Sequence, residues 1–447
     1  MGAMKKVVLL KLTACLLAGL FFFYNGGETV HAEENRDTAP VIVVLDPGHG
    51  GENLGGEYGK YTEKDLTITV ARAMKEELEK YEGITVYMTR EEDIDLSLEE
   101  RVRFAESVQA DFLFCLHFNM SLNHDLYGAE VWVSAFDEEY QKGYTFASAE
   151  IDLLKEKGLY SRGIKTRLND KGEDYYGIIR HATEISMPAV IIEHCHLDQR
   201  RDEDYYTSEE KLEEFGRLDA TAVAEYYGLK SEELSVDYST YQNVEIPVPV
   251  SAVKPDKTEP DVCMIEVTDV NEKTGEVTVT LSAQDYDSNM LYYSYSYDGG
   301  ASFSELQEWL PEGTDTISFP IHVPSGILPE IVGKVYNGFD LHTESNHIAL
   351  PSMSYGEEAV PAGSMIQPEE DKAVREEQKD RTDVTKQQEA EAEAQLKIEP
   401  EEKKQQLTVS YFMAVCFICV AILFVLFLLA RIILLTGKSK KKRRRRK

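Results

Sequence analysis

Cysteine is scarce in this chain, with six among 447 residues, and tryptophan is rarer still, with two. Cys15 falls in an N-terminal apolar run and Cys416 and Cys419 in a C-terminal one, which leaves Cys115, Cys195 and Cys263 between them. An odd set of three thiols without dense spacing argues against a disulfide-dependent fold, and buried free thiols are the expectation. Positive charge is also short: 47 Lys and Arg stand against 80 Asp and Glu, a net charge of −33. Three of the basic residues lie in 1–32 and ten in 431–447, whereas Glu28 is the only acidic residue in those segments. Residues 33–430 therefore hold 34 basic and 79 acidic groups, a net charge of −45. A surface of that sign excludes nucleic acid as a partner, because phosphate contacts need Lys and Arg. No internal repeat is visible.

What is present is a set of short apolar runs that end in side chains able to bind a metal or a proton. Val41-Ile42-Val43-Val44-Leu45 reads as a buried parallel strand and stops at Asp46-Pro47-Gly48-His49-Gly50-Gly51. Thr62-Glu63-Lys64-Asp65 reads as a helix start capped by Thr62, with Leu66, Val70, Met74 and Leu78 on one face. Phe112–Leu116 carries His117 at its end, and Ala189–Ile192 carries Glu193. In an α/β fold with a mostly parallel sheet flanked by helices, the loops after strand C-termini converge on one edge. Four imidazole or carboxyl groups meet there in this reading. Zn2+ suits His49, Glu63 and His117, since catalytic zinc takes three protein ligands and keeps one position for water. Glu193 is then free to move the water proton. Taken singly, a strand-end His is more often a satisfied structural residue, and it is the combination that points to a metal.

The residues Asp46-Pro47-Gly48-His49-Gly50-Gly51, Glu63-Lys64-Asp65-Leu66, Thr89-Arg90, Arg101, Leu116-His117-Phe118-Asn119, Gly128-Ala129-Glu130 and Pro188–Glu193 stand in the order found in zinc-dependent N-acetylmuramoyl-L-alanine amidases, and the chain resembles that family over roughly residues 40–229. The resemblance implies an α/β fold and an enzyme that cuts the amide between the lactyl group of N-acetylmuramic acid and L-alanine of the peptidoglycan stem. It also implies His49, Glu63 and His117 as zinc ligands and Glu193 as the catalytic carboxylate. Two other readings share these residues: a zinc-binding cell-wall sensor without turnover, and a zinc hydrolase of another wall peptide. The chain departs from the family after Glu193, where His194-Cys195-His196-Leu197-Asp198-Gln199 replaces the usual small residue and aromatic-Leu-Ser-Asn stretch. His194 and His196 read as extra ligands, substrate contacts or polar loop residues.

Arg90 and Arg101 are candidate substrate-binding residues, because a guanidinium fork matches the carboxylates of the stem peptide. An ion pair with Asp93 or Asp95 is the alternative. Asn119 follows His117 by two residues, so on an extended segment it shares the imidazole's side and is a third candidate for substrate. By the same spacing Cys115 and Cys195 are expected on the faces of His117 and Glu193, close enough to pair if their strands are neighbours.

The ends of the chain point to export and anchoring. Lys5-Lys6, the apolar run Val7–Phe23 and Val30-His31-Ala32 make residues 1–32 a signal peptide. Residues 409–435 include an apolar stretch of about the twenty residues that cross a bilayer, and the basic tail 436–447 sets its end in the cytoplasm. The expectation is a single-pass type I membrane protein with its catalytic domain, residues 39–229, outside the cell. Peptidoglycan and the membrane are its expected partners, and repulsion by wall polyanions makes the anchor the means of retention. Residues 230–259, with Pro247, Pro249 and Pro255, read as an extended linker. Residues 260–351 read as a small Ig-like or fibronectin-like β-sandwich from the alternation of Val277, Val279 and Leu281, that of Tyr293, Tyr295 and Tyr297, and a turn at Asp298-Gly299-Gly300. That module reads as a spacer, or through its tyrosines as the binding surface for glycan or for a wall, division or sporulation protein. Residues 352–406 are too polar to bury a core and read as a charged stalk.

Overall fold

The computed structural model describes residues 40–355. The expected signal peptide, nearly all of the stalk, the expected transmembrane helix and the basic tail lie outside these residues. Among the described residues no helix is long and apolar enough to cross a membrane.

The catalytic half is a six-stranded sheet with helices on both faces. Its strands are β1 (Val41–Pro47), β2 (Ile84–Met88), β3 (Phe112–Asn119), β4 (Ala129–Val133), β5 (Ser161–Lys165) and β6 (Ala189–His196), in the spatial order β2-β1-β3-β6-β4-β5. Every neighbouring pair is parallel except β6 with β4. The start of β4 therefore reaches the sheet edge where β1, β3 and β6 end. Helices α1 (Glu63–Leu78), α3 (Asp137–Glu156) and α5 (Glu209–Tyr227) cover one face, meeting Val43, Leu45, Phe112, Phe114 and Ile192. Helices α2 (Leu98–Ser107) and α4 (Gly177–Thr183) cover the other over Val44, Leu113, Cys115 and Ile191. Each fully buried Leu, Ile or Phe in these layers contributes about 1.5–3 kcal/mol.

Local chemistry sets the helix ends. Ser97 and Glu100 form a reciprocal capping box at α2, and Gly228 closes α5 in the left-handed region at φ 64°. Thr62 does not cap α1 as its position suggested. Its hydroxyl bonds the Asp65 side chain instead of a helix amide. The apolar stripe of α1 is as its spacing predicts, with Leu66, Val70, Met74 and Leu78 all buried.

Residues 230–259 are not a free tether. Val253 N–H donates to the Ala135 carbonyl and Gln141 Nε2 to the Ile246 carbonyl, while Asn243 Nδ2 donates to the Tyr226 carbonyl, so the segment lies along the catalytic half. Beyond it, two antiparallel sheets enclose one core. The first is β7 (Val262–Asn271), β8 (Glu276–Gln284) and β11 (Thr316–His322). The second pairs β9 (Met290–Ser296) with β10 (Gln307–Glu308) and β12 (Glu330–Asn337), and β12 with β13 (His342–Glu344) and β14 (Ile348–Ala349). Val277, Val279 and Leu281 face Ile331 and Val335 across that core. Tyr293 and Tyr295 lie half-buried against Phe319.

Candidate active site

The loop after β1 presents His49 in a left-handed conformation, φ 60°, which a non-glycine residue adopts only when its surroundings impose it. Those surroundings are two buried arginines. Arg90 donates from Nε to the Pro47 carbonyl (3.1 Å) and from Nη2 to that of Gly48 (3.0 Å). Arg101 donates from Nη1 to Asp46 Oδ1 (2.7 Å) and the Pro47 carbonyl (2.9 Å), and from Nη2 to the His49 carbonyl (2.8 Å). The expectation that Arg90 and Arg101 meet a substrate carboxylate is thus corrected. Both are almost fully buried, Arg101 bonding the loop that carries His49 and the Leu96 carbonyl, Arg90 that loop and the Glu92 and Lys64 carbonyls. Arg101 pairs with Asp46, Arg90 donates to backbone carbonyls, and Asp93 pairs with Lys64.

Glu63, at the first turn of α1, reaches over the sheet edge between two imidazoles. Its Oε2 lies 3.0 Å from His49 Nε2 and its Oε1 2.8 Å from His117 Nδ1. The Gly56 and Phe118 amides also donate to this carboxylate. Burial opposes its ionisation, but the two histidines outweigh burial and hold its carboxyl below the usual range. Burial likewise pulls the His49 imidazole down, yet Glu63 and Asn53 leave it raised overall. Asn53 Oδ1 sits 2.8 Å from His49 Nδ1, and so directs Nε2 toward Glu63. Glycines make room for the group. A Cβ on Gly48 would fall 2.3 Å from His117 Cε1, and one on Gly55 2.5 Å from both Glu63 Oε2 and His49 Cδ2. Among the described residues, His49, Glu63 and His117 form the cluster able to hold a metal, one ligand atom from each lying within 4.8 Å of the others.

Glu193 stands directly beside His117 in the β3–β6 register and beside Glu130 in the β6–β4 register. With His117, Asn119, Tyr176 and Ile191 it lines a cleft of about 290 Å³ that also holds His49 and Glu63. Its Oε2 is buried and accepts no hydrogen bond. Burial and the Glu63 and Glu130 carboxylates push its pKa well up, with Arg162 opposing. Glu130 is held the other way. Lys165 and Arg162 outweigh its burial and keep it ionised, at 2.7 and 3.0 Å. Two adjacent carboxyl groups are thus driven apart in pKa, as acid–base sites require. Asn119 lines the cleft, donating from Nδ2 to Glu130 and accepting from the Met120 amide.

Past Glu193 the register slips. His117 faces Glu193 but Asn119 faces His196, so three residues of β6 oppose two of β3, a β-bulge. The bulge sends both His194 and Cys195 to the α1–α5 face. His194 packs between Phe118 and Phe215, with Nδ1 2.9 Å from the His117 carbonyl and Nε2 3.1 Å from Asp219. His196 is buried against the Gly128 carbonyl. Neither histidine lies in the cleft, which corrects the readings of both as ligands, substrate contacts or loop residues. Cys115 and Cys195 are free and buried as expected, and they face opposite sides of the sheet, which corrects only the face expected for Cys195. Glu130, Arg162, Lys165 and Tyr176 carried no assigned role in the sequence. Only Glu130 had a visible signal, as the end of Gly128-Ala129-Glu130.

Residues 43–225 match the Amidase_3 family, described as N-acetylmuramoyl-L-alanine amidase. A relative in Bacillus subtilis, an uncharacterized protein named YqiI, is 30% identical over 186 residues, 41% of this chain and 84% of its own length. The chain belongs to this family. The N-acetylmuramoyl-L-alanine amidase AmiC of Escherichia coli is 39% identical over 95 residues, 21% of this chain, but the match spans only 22% of AmiC. Among solved structures, Cwp6 from Clostridium difficile is 32% identical, with 42% of this chain and 29% of that one covered and a TM-score of 0.40. The amidase family match ends before the second, two-sheet half begins.

Proposed function

We propose that the chain is a zinc-dependent peptidoglycan hydrolase that cuts the amide between the lactyl group of N-acetylmuramic acid and L-alanine. The observation that carries this reading is the juxtaposition of His49, Glu63 and His117 in one cleft with Glu193, whose Oε2 is buried and unpartnered. The donor set fits zinc: two imidazole nitrogens and a carboxylate oxygen, in a pocket whose glycines exclude a Cβ. His49, Glu63 and His117 would hold the ion. When bound, it supplies Lewis acidity to the scissile carbonyl and lowers the pKa of water.

The rest is work for side chains. Glu193 removes a proton from the water that attacks the carbonyl carbon, then delivers that proton to the leaving nitrogen as the C–N bond breaks. The products are a lactyl carboxylic acid and a free L-alanine amine. Burial and the Glu63 and Glu130 carboxylates raise the Glu193 pKa above the ordinary carboxyl range, which favours holding the proton between its removal from water and its delivery to nitrogen. Glu130 stays ionised and fixes Asn119 at the cleft wall.

In the wider reading, residues 1–32 export the chain and 409–435 anchor it as a type I membrane protein, with the cleft facing the wall and the tail in the cytoplasm. The apolar run Tyr411–Ala430 and the basic run after it support this. The two sheets of 260–351 support an Ig-like assignment for the second domain. The test is to incubate the purified chain in detergent with peptidoglycan, with zinc and after chelation, and to identify new ends by mass spectrometry. Zinc-dependent release of peptides with free L-alanine amino termini is expected. Release of any other end, or none, overturns the reading.

A further inference from the structure

The β domain does not merely follow the catalytic half; it closes on the charge network behind Glu193. Arg162 on β5 is almost fully buried and its fork is shared between the two halves. Nε donates to Glu130 Oε2 at 3.0 Å, Nη1 to the Tyr292 hydroxyl at 3.1 Å and Nη2 to Asp340 Oδ2 at 2.8 Å. Around this fork Tyr127, Tyr160, Leu291, Tyr292 and Leu306 form a small core of their own, and the Tyr292 hydroxyl donates to the Tyr127 carbonyl just before β4.

Asp340 is placed for this contact by its own domain. It sits at φ 63° in the turn between β12 and β13. The side chain of fully buried Asn337 holds that turn, its Oδ1 accepting from the Phe339 and Leu341 amides. Asn337 Nδ2 in turn donates to Asp256, Asp285 and the Thr258 carbonyl. Phe339 lies beside the Lys165 ammonium, 5.8 Å from ring centroid to Nζ. One rigid turn of the β domain therefore covers both cations that hold Glu130.

We propose that the β domain is a working part of the active site: Asp340 and Tyr292 position Arg162, which holds Glu130 and with it the strand pair that carries Glu193. A planar guanidinium is suited to this, since it bonds three oxygens in fixed directions where an ammonium would not. Arg162, Asp340 and Tyr292 are positioning residues and touch no substrate. The kinetic readout of this inference rests on the amidase reading above.

Asp340→Asn in the full chain is the informative change, because Asn tolerates the same left-handed backbone and keeps the size while removing the charge. With the zinc-loaded chain in detergent and soluble muropeptide as substrate, kcat falls about tenfold, in the range of lost outer-shell partners. KM, zinc content and the cooperativity of melting stay as in the unaltered chain. Arg162→Lys gives a similar loss, and the double variant is no worse than the poorer single one, because both act through one fork. A wild-type kcat in Asp340→Asn, or losses that multiply in the double variant, would overturn the proposal. Hydrogen exchange supplies a readout independent of turnover: Asp340→Asn speeds exchange in residues 129–133 and 190–196. Unchanged exchange there sinks the proposal, even if the unaltered chain proves to cleave some other bond.

Discussion

Glu193 is the residue on which chemistry and stability pull in opposite directions. Burial and two neighbouring carboxylates raise its pKa, with Arg162 opposing, so the folded chain keeps a proton that the unfolded chain releases. Between the ordinary carboxyl range and that raised value, the unfolded state binds fewer protons, and stability falls as pH rises. In metal-free protein at pH 8, Glu193→Gln should therefore gain stability over the unaltered chain, because the amide has no proton for the unfolded chain to release. Thermal melts at pH 5 and pH 8 check it: the gain appears at the higher pH and shrinks at the lower. The same variant should retain bound zinc and lose about 10²–10⁴-fold in rate, the span of general acid–base assistance. Undiminished turnover would remove Glu193 from the mechanism. Gly48→Ala makes the complementary case at the ligand side. Its methyl group would strike the His117 ring, and zinc affinity measured by chelator competition should drop about 10–100-fold, as for other displaced ligand supports.

At the scale of elements, the decisive feature is the β-bulge in β6. It turns the chain after Glu193 so that His194 Nδ1 meets the His117 carbonyl, and Asp219 on α5 holds the ring from behind. Asp219→Ala leaves that imidazole buried without its partner and should cost about 1–3 kcal/mol, read as a lowered denaturation midpoint at unchanged slope. The capping box of α2 is a simpler device. Ser97→Ala should cost about 1 kcal/mol without altering the cleft, because Ser97 contacts only its own first turn. Alternation along 189–196 placed Glu193 correctly and misplaced Cys195, since the period-2 rule holds only while the register does not slip. The helix stripe of α1 was legible because it is set by spacing within one element. The destination of the Arg90 and Arg101 forks was not, because it depends on a loop brought from β1.

At the scale of the whole molecule, charge should govern access to the wall. Residues 33–430 carry a net −45, and long-range repulsion from an anionic wall polymer is screened as the Debye length shrinks from about 30 Å at 0.01 M salt to about 8 Å at 0.15 M. Release from walls that retain their anionic polymers should therefore speed up over that range of salt. Walls stripped of those polymers should show little salt dependence, and equal behaviour of both preparations would remove the electrostatic account. The segment 230–259 belongs to this scale too. Its proline-rich composition predicted an extended chain, but Lys230–Ser231 pairs antiparallel with Val236–Asp237, and hydrogen bonds to Ala135, Gln141 and Tyr226 lay the rest on the catalytic half.

The sequence by itself determined the strand ends that carry His49, His117 and Glu193, the helix start that carries Glu63, and the alternation of the second domain's strands. These follow from local periodicity, glycine placement and helix-start composition, which act over a few residues. Only the tertiary structure decided that β4 runs against β6 and brings Glu130 beside Glu193. It alone decided that a bulge turns His194 and Cys195 away from the cleft, and that Asp340, 178 positions from Arg162, completes that arginine's fork. Strand direction, register slips and contacts between distant segments are set by which surfaces exclude water together, and no local pattern encodes that choice.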